Sequence, residues 1–383
     1  MCLDSWSAAY DTWATLSSQH AGARGQQITY SYKEESSSAG QLLLADRECH
    51  FAGIDGALLA EYSARMPRAW GLPVLAGAVA IVFNLPDMAD LELRITREQL
   101  AQVFLGRIRK WSELAHRNPK LEGVNESIAL VVRSDVSETS EVLTSALSSF
   151  SFEWQGKVGT SKMPIWPGFT TRSQGTKDMA VQILRQPYSL GYIWQANVET
   201  FLLARALIEN DAGEFVAPSA SSVNAAMDAA VEAFQKMGQS TRMLAQTIVD
   251  PKNLTETGAR DAYPISALAY LSFDASRLGC RLMHDVLYLI YWAWTEASKS
   301  QAATRPGLFP LSSRLVKALL QLCKTSPDLS CDGGLHPLVE QLTLEFNEKC
   351  PPGMHNVVCE VSSPSSASRS LQVTESTLRI LST

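Results

Sequence analysis

"SIALVVRSDVSETSEVLTSALSSF", residues 127–150, decides how this chain is read. Its first seven residues form an apolar run that ends in Arg133. Its last part repeats apolar residues at Val142, Leu143, Ala146, Leu147 and Phe150, the spacing of one helical face. Ser137, Glu138, Thr139 and Ser140 lie between them, so the stretch reads strand, turn, helix. The turn admits two uses. Ser and Thr cap helices because a side-chain oxygen satisfies an orphan backbone N–H. The same turn can also hold an oxyanion, since a helix start offers free amides and a partial positive charge. Ser137, Thr139 and the Arg133 guanidinium would add donors. The turn alone does not choose between them.

The pattern repeats along the chain. Apolar periodicity predicts helices at 1–20, where Trp6, Tyr10 and Trp13 share a face, and at 36–47. "TREQ" (96–99) is a capping box in which Thr96 and Gln99 satisfy each other's backbone, with Leu100, Val103 and Phe104 on the following face. Further helices are expected at 175–186, burying Met179, Ala180, Ile183 and Leu184, and at 221–237, burying Met227, Ala230, Val231 and Phe234. Others are expected at 281–298 and 311–323. Strands are expected at 26–33, 50–55, 127–133, 190–194 and 263–273. Alternating strands and helices make the fold class α/β. After Cys323 the character changes, and "SSPSSASRS" (362–370) is linker-like.

The bulk numbers exclude several classes. A net charge of −6 without a basic block argues against nucleic acid or an anionic membrane as partner. The apolar runs 73–83 and 286–294 fall short of the roughly 20 residues of a membrane span, so they read as buried elements. The N-terminus has neither a basic nor an apolar leader region, so no signal peptide is visible. Cys323, Cys331, Cys350 and Cys359 cluster near the end without paired zinc-ligand spacing, which predicts a small disulfide framework of open connectivity. With the sequons at Asn125 and Asn253, this favours a secreted chain. The six histidines show no metal-ligand spacing, and no nucleophile is matched to a base, so neither metal, cofactor nor catalysis is expected.

In open α/β sheets, ligands sit beyond the carboxyl ends of strands, where helix N-termini point. Ser37, Asp55 and the 133–139 turn all occupy such ends. At this point several ordered motifs become recognisable: "VFNLPDM" (82–88), "VFLGRIRKWSEL" (103–114), "VVRSDVSETS" (131–140), "EWQGKVG" (153–159), "SLGYI" (189–193) and "DAYPIS" (261–266). From about residue 5 to residue 323 the chain resembles the phosphate-binding proteins that serve bacterial phosphate ABC transporters. The resemblance implies a two-lobe periplasmic-binding-protein-like fold with a hinge. The first lobe would comprise 1–77 and 262–323, the second 78–261, and a Cys-bearing tail would follow at 324–383.

It also implies a phosphate site. Ser37 stands where the family has a serine at a helix start, Asp55 where it has a buried aspartate, and Arg133 where it has a bidentate arginine. Ser137 and Thr139 match hydroxyl donors, with the backbone amide of Glu138 between them. Arg offers a planar fork that suits two phosphate oxygens. An acceptor such as Asp55 favours a ligand that carries a proton, as phosphate does near neutral pH and sulfate does not. Two departures stand out. Glu138 and Val136 replace glycines of the family pattern, and the family's first strand has no counterpart in this sequence before Met1, so the first lobe would be expected to lack a sheet strand. The expectation is a monomeric, secreted or periplasmic-like module that binds inorganic phosphate for uptake or sensing, with a membrane transporter or receptor as partner. The alternative is a degenerate relative kept as an extracellular receptor or protein-interaction module.

Overall fold

The computed structural model describes residues 7–23, 25, 28–30, 37–54, 58, 60–86, 88, 91–168, 170–236, 252–255, 257–296, 309–331 and 336–346. Its strands are β1 (Ala52–Ile54), β2 (Ala69–Asn84), β3 (Arg94–Ile95), β4 (Ala129–Arg133), β5 (Thr171–Ser173), β6 (Ser189–Trp194), β7 (Ala204–Arg205), β8 (Leu207–Glu209), β9 (Phe215–Val216), β10 (Ser266–Asp274), β11 (Ser330–Cys331) and β12 (His336–Pro337). Its helices are α1 (Ser7–Ala23), α2 (Ser37–Ala45), α3 (Ala60–Ser63), α4 (Arg97–Phe104), α5 (Glu138–Phe150), α6 (Phe152–Lys157) and α7 (Gly175–Arg185). These are followed by α8 (Gln195–Phe201), α9 (Ala220–Lys236), α10 (Lys252–Thr255), α11 (Cys280–Thr295), α12 (Ser313–Thr325) and α13 (Leu338–Phe346).

The main sheet runs β1-β10-β2-β6-β4-β5, with β7 also on β2. β2 organises it. Residues 69–78 pair antiparallel with β10, and residues 79–84 pair antiparallel with β6. One 16-residue strand thus serves two sets of neighbours and changes partner between Ala78 and Val79. The crossing is pinned twice: Val79 N–H donates to Ile265 O at 2.9 Å, and the Tyr263 hydroxyl donates to Val79 O at 2.9 Å. Pro73 is tolerated inside β2 because the register shifts there, with Pro73 opposite Tyr270 and Leu75 opposite Ala269.

On the first set of strands, α11 packs its apolar length against β2, and Trp294 Nε1 donates to Pro73 O at 2.7 Å. Trp292 meets Trp13 of α1 edge-on at 6.1 Å. On the second set, β4, β5 and β6 are parallel to one another. Each runs into a helix: β4 into α5, β5 into α7 and β6 into α8. Gly191 of β6 lets α7 come close, since a Cβ there would lie 2.8 Å from Ile183 Cδ1 and 3.1 Å from Val131 O.

Three expectations need correction. Residues 28–30 of the expected strand at 26–33 are irregular. Their apparent alternation comes from anchoring: Ile28 is buried, and the Tyr30 hydroxyl donates to Asp285 O at 2.7 Å. Leu184 is half-exposed because it falls at the edge of the α7 face that Met179, Ala180 and Ile183 bury. The third concerns cysteines. Cys331 pairs with Cys280, whose Cα lies 5.7 Å away, rather than with a neighbour in the cluster. Cys323 is a free, fully buried thiol whose burial pushes its pKa up to about 12. Cys350 and Cys359 lie outside the described residues. The tail packs onto the fold through this disulfide and through Leu338, Val339 and Leu342, which join the main core.

Candidate functional site: the turn after β4

Arg133 ends β4 with its side chain 6% exposed. Its position is fixed from behind by an aromatic cluster. Arg133 N–H donates to the Tyr192 hydroxyl at 3.1 Å, and Trp166 Nε1 donates to Arg133 O at 3.0 Å. The Trp166 ring packs on Tyr192 and Phe104, both at 5.6 Å. The guanidinium is gripped by Asp135: Nε donates to Oδ1 at 2.7 Å and Nη2 to Oδ2 at 2.5 Å. Nη1 lies 3.4 Å from Thr176 Oγ1 in the first turn of α7. Asp135 Oδ1 also accepts the Gly175 N–H that opens α7, at 3.2 Å. Burial acts to raise the Asp135 pKa. The Arg133 hydrogen bonds and charge, with the Gly175 amide, outweigh it and hold the carboxyl below its usual range.

The next residues start α5. Ser137 is the N-cap, extended in backbone, and its hydroxyl accepts from Ser140 N–H at 3.3 Å. Ser137 N–H donates to Lys162 O at 2.9 Å, which ties the turn to the loop after α6. Glu138 and Thr139 are buried at 6% and 4% exposure in the first turn of α5. The Ser140 and Tyr192 hydroxyls are hydrogen-bonded at 2.7 Å. The capping use of the turn is therefore real.

Arg133, Ser137, Glu138 and Thr139 are brought together in this turn. Ser37 is the first residue of α2, and its side chain lies outside the described residues, as does Asp55, which follows β1. Sequence reasoning missed Asp135, Lys162 and Thr176. For Thr176 a signal existed: "TRSQGT" (171–176) has the same strand–turn–helix order as 127–150. Lys162 carried none, because its partners lie 21–24 residues away, at Glu141 and Glu138. Among the described residues no group of His, Cys, Asp and Glu is placed to hold a metal.

The fold is α/β, with a buried arginine and two helix starts at the carboxyl ends of parallel strands. The chain belongs to the PBP superfamily domain family, whose model matches residues 4–277. It is 27% identical over 319 residues to the phosphate-binding protein PstS of Haemophilus influenzae, covering 82% of this chain and 89% of that one. Two solved structures share the two-lobe fold. The ancestral soluble variant of the human phosphate-binding protein superposes with a TM-score of 0.58 at 16% identity, over 83% of this chain and 92% of that one. The phosphate-bound, high-affinity periplasmic phosphate-binding protein PfluDING does so with 0.55 at 18% identity, over 87% and 96%.

Proposed function

We propose that this chain binds inorganic phosphate in the cleft between two lobes, as a solute-binding module for phosphate uptake or sensing. One observation carries the reading: the level at which the site sits. The carboxyl end of β6, at Trp194, pairs with Val79, where β2 changes partners. β4 runs parallel beside β6, so Arg133 and the starts of α5 and α7 face the junction between the two sets of strands. An anion held there touches one lobe and lies within reach of the other. The lobes are taken as 1–77 with 262–323, and 78–261, with 324–383 as tail. The partner switch after Ala78 and the bond from Val79 to Ile265 support that division.

Arg133, the hydroxyls of Ser137 and Thr139 and the Glu138 amide are the ligands from the second lobe, with Thr176 beside the guanidinium. Ser37 and Asp55 are those from the first, and the Asp55 carboxylate accepts a hydrogen bond from the ligand's O–H. The site works by binding and not by turnover. A secreted or periplasmic setting, a monomeric state and a membrane transporter or receptor partner complete the reading. Among the described residues no helix is long and apolar enough to cross a membrane. Equilibrium dialysis against radiolabelled phosphate tests the reading. Retention competed by cold phosphate and not by sulfate is the expected result.

A second reading, a binding fold kept for protein interaction, is favoured by the internal carboxylates. Asp135 already grips Arg133 and takes the first amide of α7. No retained phosphate on folded protein would select it.

A further inference from the structure

The first turn of α5 carries an acid where the proposed ligand needs a backbone donor. The Glu138 side chain is only 7% exposed, and a carboxylate buried beside a phosphate dianion repels it. The same carboxylate, if released, would compete for the amides of the helix start, since these favour any negative group. Arg133 is no ready counter-ion for it, because the Nε and Nη2 edge is engaged with Asp135.

Lys162 answers both problems. Its Nζ lies 3.5 Å from Glu138 Oε1 and 3.7 Å from Glu141 Oε2, with the lysine side chain 16% exposed. Its carbonyl accepts the Ser137 N–H at 2.9 Å. One residue thus holds the turn with its main chain and neutralises it with its side chain. A lysine suits this task, because its ammonium is a compact charge with three donors on a flexible stem. The Glu141 pKa is raised chiefly by burial; Lys162 opposes the rise and Glu138 adds to it, which makes the three groups one electrostatic unit. Counting Asp135, the turn holds two cations and three carboxylates, so loss of one cation leaves it strongly acidic.

We propose that Lys162 is the positioning residue that makes this acidic turn receptive to an anion, by holding the Glu138 carboxylate away from the α5 amides and cancelling its charge. The proposal rests on the phosphate reading. It names a residue that acts through Glu138 rather than on the ligand.

Calorimetric titration with phosphate, at low and high ionic strength, tests it on wild type, Lys162→Met and the double variant Glu138→Gln/Lys162→Met, each checked by thermal melting. Lys162→Met is expected to weaken phosphate binding by about tenfold or more at low salt, the effect of an uncancelled like charge nearby. The loss should shrink at high salt, where an electrostatic penalty is screened. The double variant should recover most of the affinity. Wild-type affinity in Lys162→Met, or a double variant as weak as the single one, overturns the proposal while leaving phosphate binding intact. A silent wild type overturns the phosphate reading and with it the ligand half. Melting then decides the pairing half: a Lys162→Met loss of stability that the double variant restores supports it, and equal melting of all three refutes it.

Discussion

Arg133 and Asp135 form a two-point ion pair across the turn after β4, at 2.7 and 2.5 Å, with the arginine 6% exposed and the aspartate 23%. The pair sets the guanidinium's direction, and in the proposed phosphate reading such a preorganised donor loses less freedom on binding. It also gives the turn a pH signature. The Asp135 pKa is held down in the fold, so its contribution is present above the unfolded carboxylate value of about 3.9. That contribution is lost as pH falls through the lower folded value. Melting curves of Asp135→Asn should therefore lie below wild type above about pH 5 and converge with it in stronger acid. A gap that persists unchanged at acid pH would mean that the pair contributes nothing through its charge.

Tyr192 is the next support of Arg133. Its buried hydroxyl accepts the Arg133 N–H and bonds Ser140. Tyr192→Phe leaves a buried backbone donor unsatisfied and should cost about 1–3 kcal/mol in urea unfolding. No change would mean that water or another acceptor replaces the phenol.

Gly191 is required by closeness. A methyl group there meets Ile183 Cδ1 at 2.8 Å and Met179 Sδ at 3.2 Å, which pushes α7 and its Thr176 off β6. Gly191→Ala should destabilise by about 1–3 kcal/mol, the usual range for overpacking. Differential scanning calorimetry reads the shift.

The Cys280–Cys331 bridge closes a loop of 51 residues. Chain entropy alone assigns such a loop about 4 kcal/mol. Cys331→Ser should lower the melting temperature markedly and remove the sensitivity of wild type to reductant. Melting unaffected by either treatment would show that the core residues Leu338, Val339 and Leu342 hold the tail without it.

Legibility followed the range of the causes. Strand, turn and helix over 127–150 could be read because the change from continuous apolar residues to helical spacing is local. The Thr96–Gln99 box forms with both bonds at 3.1 Å, for the same reason. β2 was legible as buried but not as the shared strand of two halves, since residues apolar on both faces carry no period. The disulfide partner and Lys162 were out of reach. Each depends on where a distant segment comes to lie, at Cys280 and at the start of α5. Glu138 was seen as a discordant acid, and its lysine partner appears only once the loop after α6 is placed.

The most direct test is isothermal titration of the purified chain and of Arg133→Ala with phosphate, with sulfate in parallel, in phosphate-free buffer. Phosphate binding through Arg133 predicts saturable heat with phosphate for wild type, none with sulfate, and none with either ligand for folded Arg133→Ala. Heat that survives in Arg133→Ala, or a wild type that melts cooperatively and gives no heat with phosphate, would contradict it.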